Sequence, residues 1–260
     1  MSSSTRATSR LEASVRATDD LKLIPYLMAG YPDIAGSIAQ GRAYARSGAA
    51  AIEVGIPFSD PLADGPAVQR AGEVALAGGM TVGGALEIAS QVAEEGVPVV
   101  LMTYVNPVLA YDTRRFAADA AEAGVSGVII PDLPAEEAEP IAGWLRSAGL
   151  DTIFLVAPTS PDSRLASIAE RSGGFVYCVT LRGVTGARAE LAPGLDRLLE
   201  RVRRSTPLPI AAGFGISKPA HLAGLRGKVD AAVVASALLE RVHQGLDPLP
   251  LMEELLAECR

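Results

Sequence analysis

The chain has 260 residues, 49% of them hydrophobic, enough for a sizeable core in one large α/β domain or two small ones. Its net charge of −7, with no basic run longer than a pair, argues against nucleic acid or an anionic membrane surface as the main partner. Two cysteines (Cys178, Cys259) and two histidines (His221, His243) provide neither a disulfide framework nor a metal-ligand spacing, so a reducing cytoplasmic setting and no metal are expected.

The opening "MSSSTRATSR" is rich in Ser, Thr and Arg and lacks the apolar segment of a signal peptide, so residues 1–20 are expected to form a flexible tail. Eight short apolar runs follow: "LIPYLMA" (23–29), "AAIEVG" (50–55), "VPVVLMTY" (97–104), "GVIIP" (127–131), "TIFLVA" (152–157), "FVYCVT" (175–180), "LPIAAG" (208–213) and "AAVVAS" (231–236). They are nearly continuous in apolar residues rather than alternating, as in parallel strands buried on both faces. The longest apolar stretch, "GVPVVLMTYVNPVLAY", is broken by two prolines and an asparagine and is no membrane span.

Helical patterns separate the runs. Asp112 can cap a helix with Phe116, Ala120 and Ala123 on one face and Gly124 at its end; Ile141, Trp144, Leu145 and Ala148 form another stripe, closed by Gly149. Ser160 and Pro161 open a helix carrying Leu165, Ile168 and Ala169. Leu195, Leu198, Leu199 and Val202 repeat at helical spacing, and Asp247 and Pro248 open a final helix with Leu251, Leu255 and Leu256. His221 and His243 fall in such patterns, with surface or helix-end roles expected. Eight strand-then-helix units without a linker predict a single (β/α)₈ TIM barrel with extra helices over residues 21–260. A doubly wound open sheet is the alternative, but no GxGxxG opens a first helix.

In a barrel, the active face lies at the strands' C-terminal ends. The second run ends in "EVGIPFSDPLADGP" (53–66), where Glu53 sits among apolar residues and Asp64 lies in the loop beyond. A desolvated carboxylate has a raised pKa and suits proton transfer; an ion pair for Glu53 and a helix cap for Asp64 are the plain structural readings. "GVTG" (183–186), "GFGIS" (213–217) and "ASALL" (235–239) follow the last three runs. There, glycine-flanked backbone N–H groups and helix starts can hold a phosphate without a fixed basic side chain. No lysine ends a strand, which disfavours a Schiff-base aldolase. These features suit acid–base chemistry on a small phosphorylated substrate, a phosphosugar isomerase or epimerase included.

The segments "LIPYLMAGYPD" (23–33), "IEVGIPFSDPLADGPAVQRA" (52–71), "MTYVNPVLAY" (102–111), "GVIIPDLPAEEA" (127–138), "GVTGAR" (183–188) and "GFGIS" (213–217) resemble, in order, the signatures of the tryptophan synthase alpha subunit family. The resemblance covers nearly the whole chain after the first twenty or so residues. It implies retro-aldol cleavage of indole-3-glycerol phosphate to indole and glyceraldehyde 3-phosphate. By motif, Glu53 becomes the acid–base residue, Asp64 the acceptor of the ring N–H, and Tyr177 a tyrosine facing the substrate. Phosphate contacts fall on Gly186, Gly215, Ala235 and Ser236. Met102 and Phe214 line the indole pocket, with Tyr104 near Glu53's end of it. Thr185 matches the mobile-loop threonine that meets Asp64 on closure, and Pro57 and Asp60 match the loop that touches the beta subunit. Pyridoxal phosphate belongs to that partner, in an alpha2-beta2 heterotetramer, and this chain carries no cofactor. A stand-alone lyase and a catalytically silent activating subunit are the alternatives. Departures from the family pattern are Ala235 for glycine, Met28 for threonine, and Leu181 and Arg182 where small polar residues are common.

Overall fold

The eight apolar runs all form strands, and every observed strand pairing is parallel, in a computed structural model that describes residues 7–179, 194–213 and 215–259. The strands are β1 (Lys22–Met28), β2 (Ile52–Gly55), β3 (Val99–Met102), β4 (Val125–Ile129), β5 (Asp151–Ile153), β6 (Leu155–Val156), β7 (Val176–Val179), β8 (Ile210–Gly213) and β9 (Ala231–Val234). Their order is β5-β4-β3-β2-β1-β9-β8-β7-β6. The run expected as one strand over 152–157 is divided at Phe154: β5 pairs with β4 and β6 with β7. The two ends of the sheet are therefore halves of one chain segment, and that segment closes the barrel.

Helices cover the outside of the sheet, except the first, which closes one end of the barrel. Among the described residues they are α1 (Arg10–Val15), α2 (Ile34–Arg46), α3 (Pro66–Ala77), α4 (Val82–Ala93), α5 (Val105–Tyr111), α6 (Thr113–Glu122), α7 (Glu139–Ser147), α8 (Asp162–Arg171), α9 (Leu195–Ser205), α10 (Pro219–Ala223), α11 (Ser236–His243) and α12 (Leu249–Cys259). Local chemistry sets their starts. Asp33, Thr81 and Asp112 accept from the N–H groups of Gly36, Gly84 and Arg115 at 2.7, 3.1 and 2.9 Å, each at a helix N-terminus. Gly124 and Gly149, with φ of 76° and 79°, end α6 and α7 in the left-handed region that glycine adopts readily. On α9, Leu195, Leu198, Leu199 and Val202 are all buried.

Two helix faces differ from the sequence reading. The buried stripe of α12 is Met252, Leu255 and Cys259, with Leu251 and Leu256 packed on its flanks. Trp144 on α7 is 44% exposed; the Arg114 guanidinium lies 5.4 Å from its ring centroid, which gives the aromatic face a polar cover at the surface.

A larger correction concerns the tail expected over residues 1–20. Residues 10–15 are the helix α1, whose Leu11 and Val15 are fully buried among Ile24, Val100, Ile153 and Phe175 inside the barrel. Ser9 caps the helix by accepting from the Glu12 N–H at 3.2 Å. The Ser14 hydroxyl donates to the Ala50 carbonyl at 2.6 Å, and the Arg16 guanidinium donates to the Pro207 carbonyl, both just ahead of strands. The apolar pair at i and i+4 plugs the N-terminal mouth of the barrel, and its burial is what orders the segment. Among the described residues, no helix is long and apolar enough to cross a membrane.

Candidate active site

With one mouth plugged, the open cavity lies at the strands' C-terminal ends. It has a volume of about 200 Å³ and is walled by Tyr26, Glu53, Asp64, Met102, Leu155, Tyr177, Gly215, Ile216, Val233, Ala235 and Ser236, among others. Seven of the candidates from the sequence are thus brought together: Glu53, Asp64, Met102, Tyr177, Gly215, Ala235 and Ser236. Thr185, Gly186 and Phe214 lie outside the described residues, as do Leu181 and Arg182.

Glu53 stands on β2, 1% exposed, and its Oε2 has no hydrogen-bond partner among the described residues. Burial pushes its carboxyl up to about 8, and the nearby Asp64 charge adds to the shift. A carboxyl raised that far is largely protonated at neutral pH, and among the described residues it has no ion pair of the kind a purely structural role would give it.

Asp64 does not cap α3. The N-cap is Gly65, with no side-chain hydrogen bond, and Pro66 begins the helix. The Asp64 carboxylate instead accepts from the Tyr104 hydroxyl; burial lifts its pKa to about 6, and that bond opposes the rise. Tyr104 therefore packs against the Asp64 loop, with its phenol also near Tyr26. Its hydroxyl also accepts from the Ala63 N–H at 3.0 Å, and its ring lies 5.3 Å from that of Phe58. Gln69 on α3 donates to the Asp64 carbonyl at 2.9 Å, so both sides of the loop are tied down.

Two tyrosines face this carboxylate pair. Tyr26 and Tyr177 are buried, and their phenols are raised well above the ordinary range, first by burial and then by Glu53 and Asp64. Each fits over a glycine at a strand end. A Cβ on Gly213 would meet the Tyr177 hydroxyl at 2.5 Å, and one on Gly55 would overlap the Tyr26 hydroxyl. Tyr26 escaped the sequence reading, as did Leu155, Ile216 and Val233. The available signal was strand parity: Tyr26 is the register partner of Glu53 across β1 and β2.

Beyond β8, Gly215 has φ +64°, with open space among the described residues where a side chain would be. Ala235 precedes α11 with φ −116°, a value any L-residue adopts, so its methyl group brings no backbone strain. Ser236 opens α11 at the cavity rim. His221 accepts from the Ser217 N–H at 3.3 Å, and His243 ends α11, which gives both histidines helix-end positions. Met28 is buried, with its sulfur 3.9 Å from the Tyr26 hydroxyl and its Cε toward Gly72 on α3. Asp60 is exposed, but Pro57 is buried, so its side chain supports the loop from beneath and offers little outer surface. No cluster of three or more His, Cys, Asp or Glu suited to a metal occurs among the described residues.

Comparison with known proteins agrees with this geometry. The family model described as tryptophan synthase alpha chain matches residues 13–258. The chain is 49% identical over 234 residues to the tryptophan synthase alpha chain of Roseiflexus sp., covering 89% of this chain and 90% of the relative. It is 47% identical to that of Solibacter usitatus, with 90% and 88% covered. A solved structure of Mycobacterium tuberculosis tryptophan synthase superposes with a TM-score of 0.92 at 41% identity, covering 98% of this chain and 99% of that one. A Legionella pneumophila tryptophan synthase alpha chain gives 0.85 at 33% identity, with 97% and 96% covered. With the barrel, the buried glutamate and the order of motifs, these matches establish that the chain belongs to the tryptophan synthase alpha chain family.

Proposed function

We propose that the cavity is where this alpha chain, a lyase of tryptophan biosynthesis, cleaves indole-3-glycerol phosphate, with Glu53 as acid and base and Asp64 as its electrostatic partner. The observation that carries this reading is a buried Glu53, its Oε2 without a hydrogen-bond partner among the described residues, lining one small cavity with Asp64. Protonated Glu53 gives its proton to the ring carbon bearing the side chain. Positive charge then spreads to the ring nitrogen, where Asp64 accepts the N–H and stabilises it. The carbon–carbon bond breaks, its electron pair restores the aromatic ring, and the side-chain hydroxyl becomes the aldehyde as its proton passes to the Glu53 carboxylate. The glutamate ends protonated as it began, so the cycle needs no redox partner. Tyr177 and Met102 wall the indole. The N–H groups at Gly215, Ala235 and Ser236 hold the phosphate, with Gly186 a further contact by motif. By motif alone, Thr185, which lies outside the described residues, is the candidate to meet Asp64.

The alpha chain works with a beta subunit, which carries the pyridoxal phosphate; this chain's own chemistry needs no cofactor. We place the docking face on the loop holding Asp60, where Leu62 is 84% exposed, and propose an alpha2-beta2 assembly in the cytoplasm. The test is Glu53→Gln, which keeps the shape and loses the proton. Indole release should fall by roughly 10²–10⁴-fold while binding of a substrate analogue changes much less. Near-normal turnover would refute the assignment.

A further inference from the structure

Tyr26 and Glu53 are register partners on neighbouring strands and line the same cavity. Tyr26 is 3% exposed, and the hydrogen bond its hydroxyl donates goes to the Met28 sulfur at 3.9 Å, a weak acceptor. Glu53 Oε2, equally buried, receives no hydrogen bond among the described residues. A buried donor with a poor acceptor and a buried acceptor with no donor are each unfavourable alone. Here they stand on adjacent strands at one height. The ring cannot retreat far, because it packs over Gly55 closely enough that a Cβ there would lie 2.5 Å from its Cζ. The other groups facing Glu53 are Tyr177 from β7 and Asp64, which is itself engaged by Tyr104; among the described residues, no lysine or arginine lines the cavity.

We propose that Tyr26 is a positioning residue for Glu53: when the glutamate gives up its proton, the Tyr26 hydroxyl turns from the Met28 sulfur and donates to the new carboxylate. No bond is made or broken beyond the hydrogen bond itself. The contact exists only with the charged form, so it favours ionised Glu53 and holds the carboxylate ready to take back a proton. It lowers the barrier of the transfer step without adding to ground-state binding. This inference rests on Glu53 being the acid–base residue.

Tyr26→Phe removes the hydroxyl and keeps the ring. Turnover should fall roughly tenfold or more, as for a hydrogen bond to a charged group, with KM within about twofold. The alkaline limb of the kcat/KM profile, where Glu53 loses its proton, should move up by about one pH unit, because the ionised form has lost its donor. The unfolding temperature should match or exceed that of the wild type, since only a poorly paired hydroxyl is gone. Added to Glu53→Gln, Tyr26→Phe should cause no further loss. An unmoved alkaline limb, or the same fractional loss in both backgrounds, would mean that Tyr26 merely shapes the cavity and would overturn the inference alone. Near-normal turnover by Glu53→Gln would overturn it together with the functional reading beneath it.

Discussion

Gly55→Ala is a sharp test of how tightly the C-terminal end of β2 is packed. Gly55 closes β2 two residues beyond Glu53, and its carbonyl accepts from the Ala29 N–H at 2.9 Å. An added Cβ would overlap the Tyr26 hydroxyl and lie 2.5 and 3.0 Å from ring atoms Cζ and Cε2. In an open strand site the change would be neutral or stabilising by about 0.5–1 kcal/mol, because alanine loses less backbone entropy on folding. Here a buried ring must move, and overpacking costs about 1–3 kcal/mol. At about 2–4 °C per kcal/mol for a domain near this size, the melting temperature should drop by several degrees. A ring pushed by an ångström beside Glu53 should also slow turnover, by up to about 10²-fold. Gly72→Ala on α3 is the control, since its Cβ would meet Met28 and Pro57 at 3.5 and 3.9 Å, ordinary contact distances. It should be neutral or stabilising by up to about 1 kcal/mol. Thermal unfolding and indole release on both variants decide the matter. A Gly55→Ala protein that melts and turns over like wild type would refute the packing argument.

Leu11→Ala empties the barrel plug and should destabilise the protein by about 2–5 kcal/mol in denaturant titrations, while indole release by the folded protein changes little. Ser236→Ala should raise KM more than it lowers kcat, by about 1.5–3 kcal/mol in kcat/KM, because the phosphate is held equally in ground and transition states. A substrate analogue lacking phosphate should not sense that change.

Much of the fold was legible because parallel barrel strands are buried on both faces and leave continuous apolar runs, each bounded by a capping residue or glycine. Glu53 was legible for the converse reason, a charge in a run that should have none. What escaped depends on contacts that local patterns do not carry. Leu11 and Val15 are too short a stripe to stand out from their Ser- and Arg-rich surroundings, and only the barrel's empty mouth gives them a place. The division at Phe154 reflects closure of the sheet, a global property. Tyr26 reads as one more strand aromatic until register sets it beside Glu53. Tyr104 and Asp64 lie 40 positions apart, and their hydrogen bond exists only because β2 and β3 are neighbours.

The proposed reaction requires Glu53 to hold a proton in the resting enzyme and to release it near neutral pH. Carbon-13 NMR of glutamate-labelled protein measures this directly, with Glu53→Gln identifying the resonance. The expected result is a carboxyl that titrates near pH 8, so that it is mostly protonated at pH 7 and the acid needed for ring protonation is lost above pH 8. Its folded-state pKa lies above the unfolded value, so the buried carboxyl lowers stability progressively as pH rises from about 4.5 to 8, and Glu53→Gln should remove that slope. A Glu53 resonance titrating in the ordinary range near 4.5 would rule out the acid role, for the residue would then be a carboxylate at neutral pH with no proton to give.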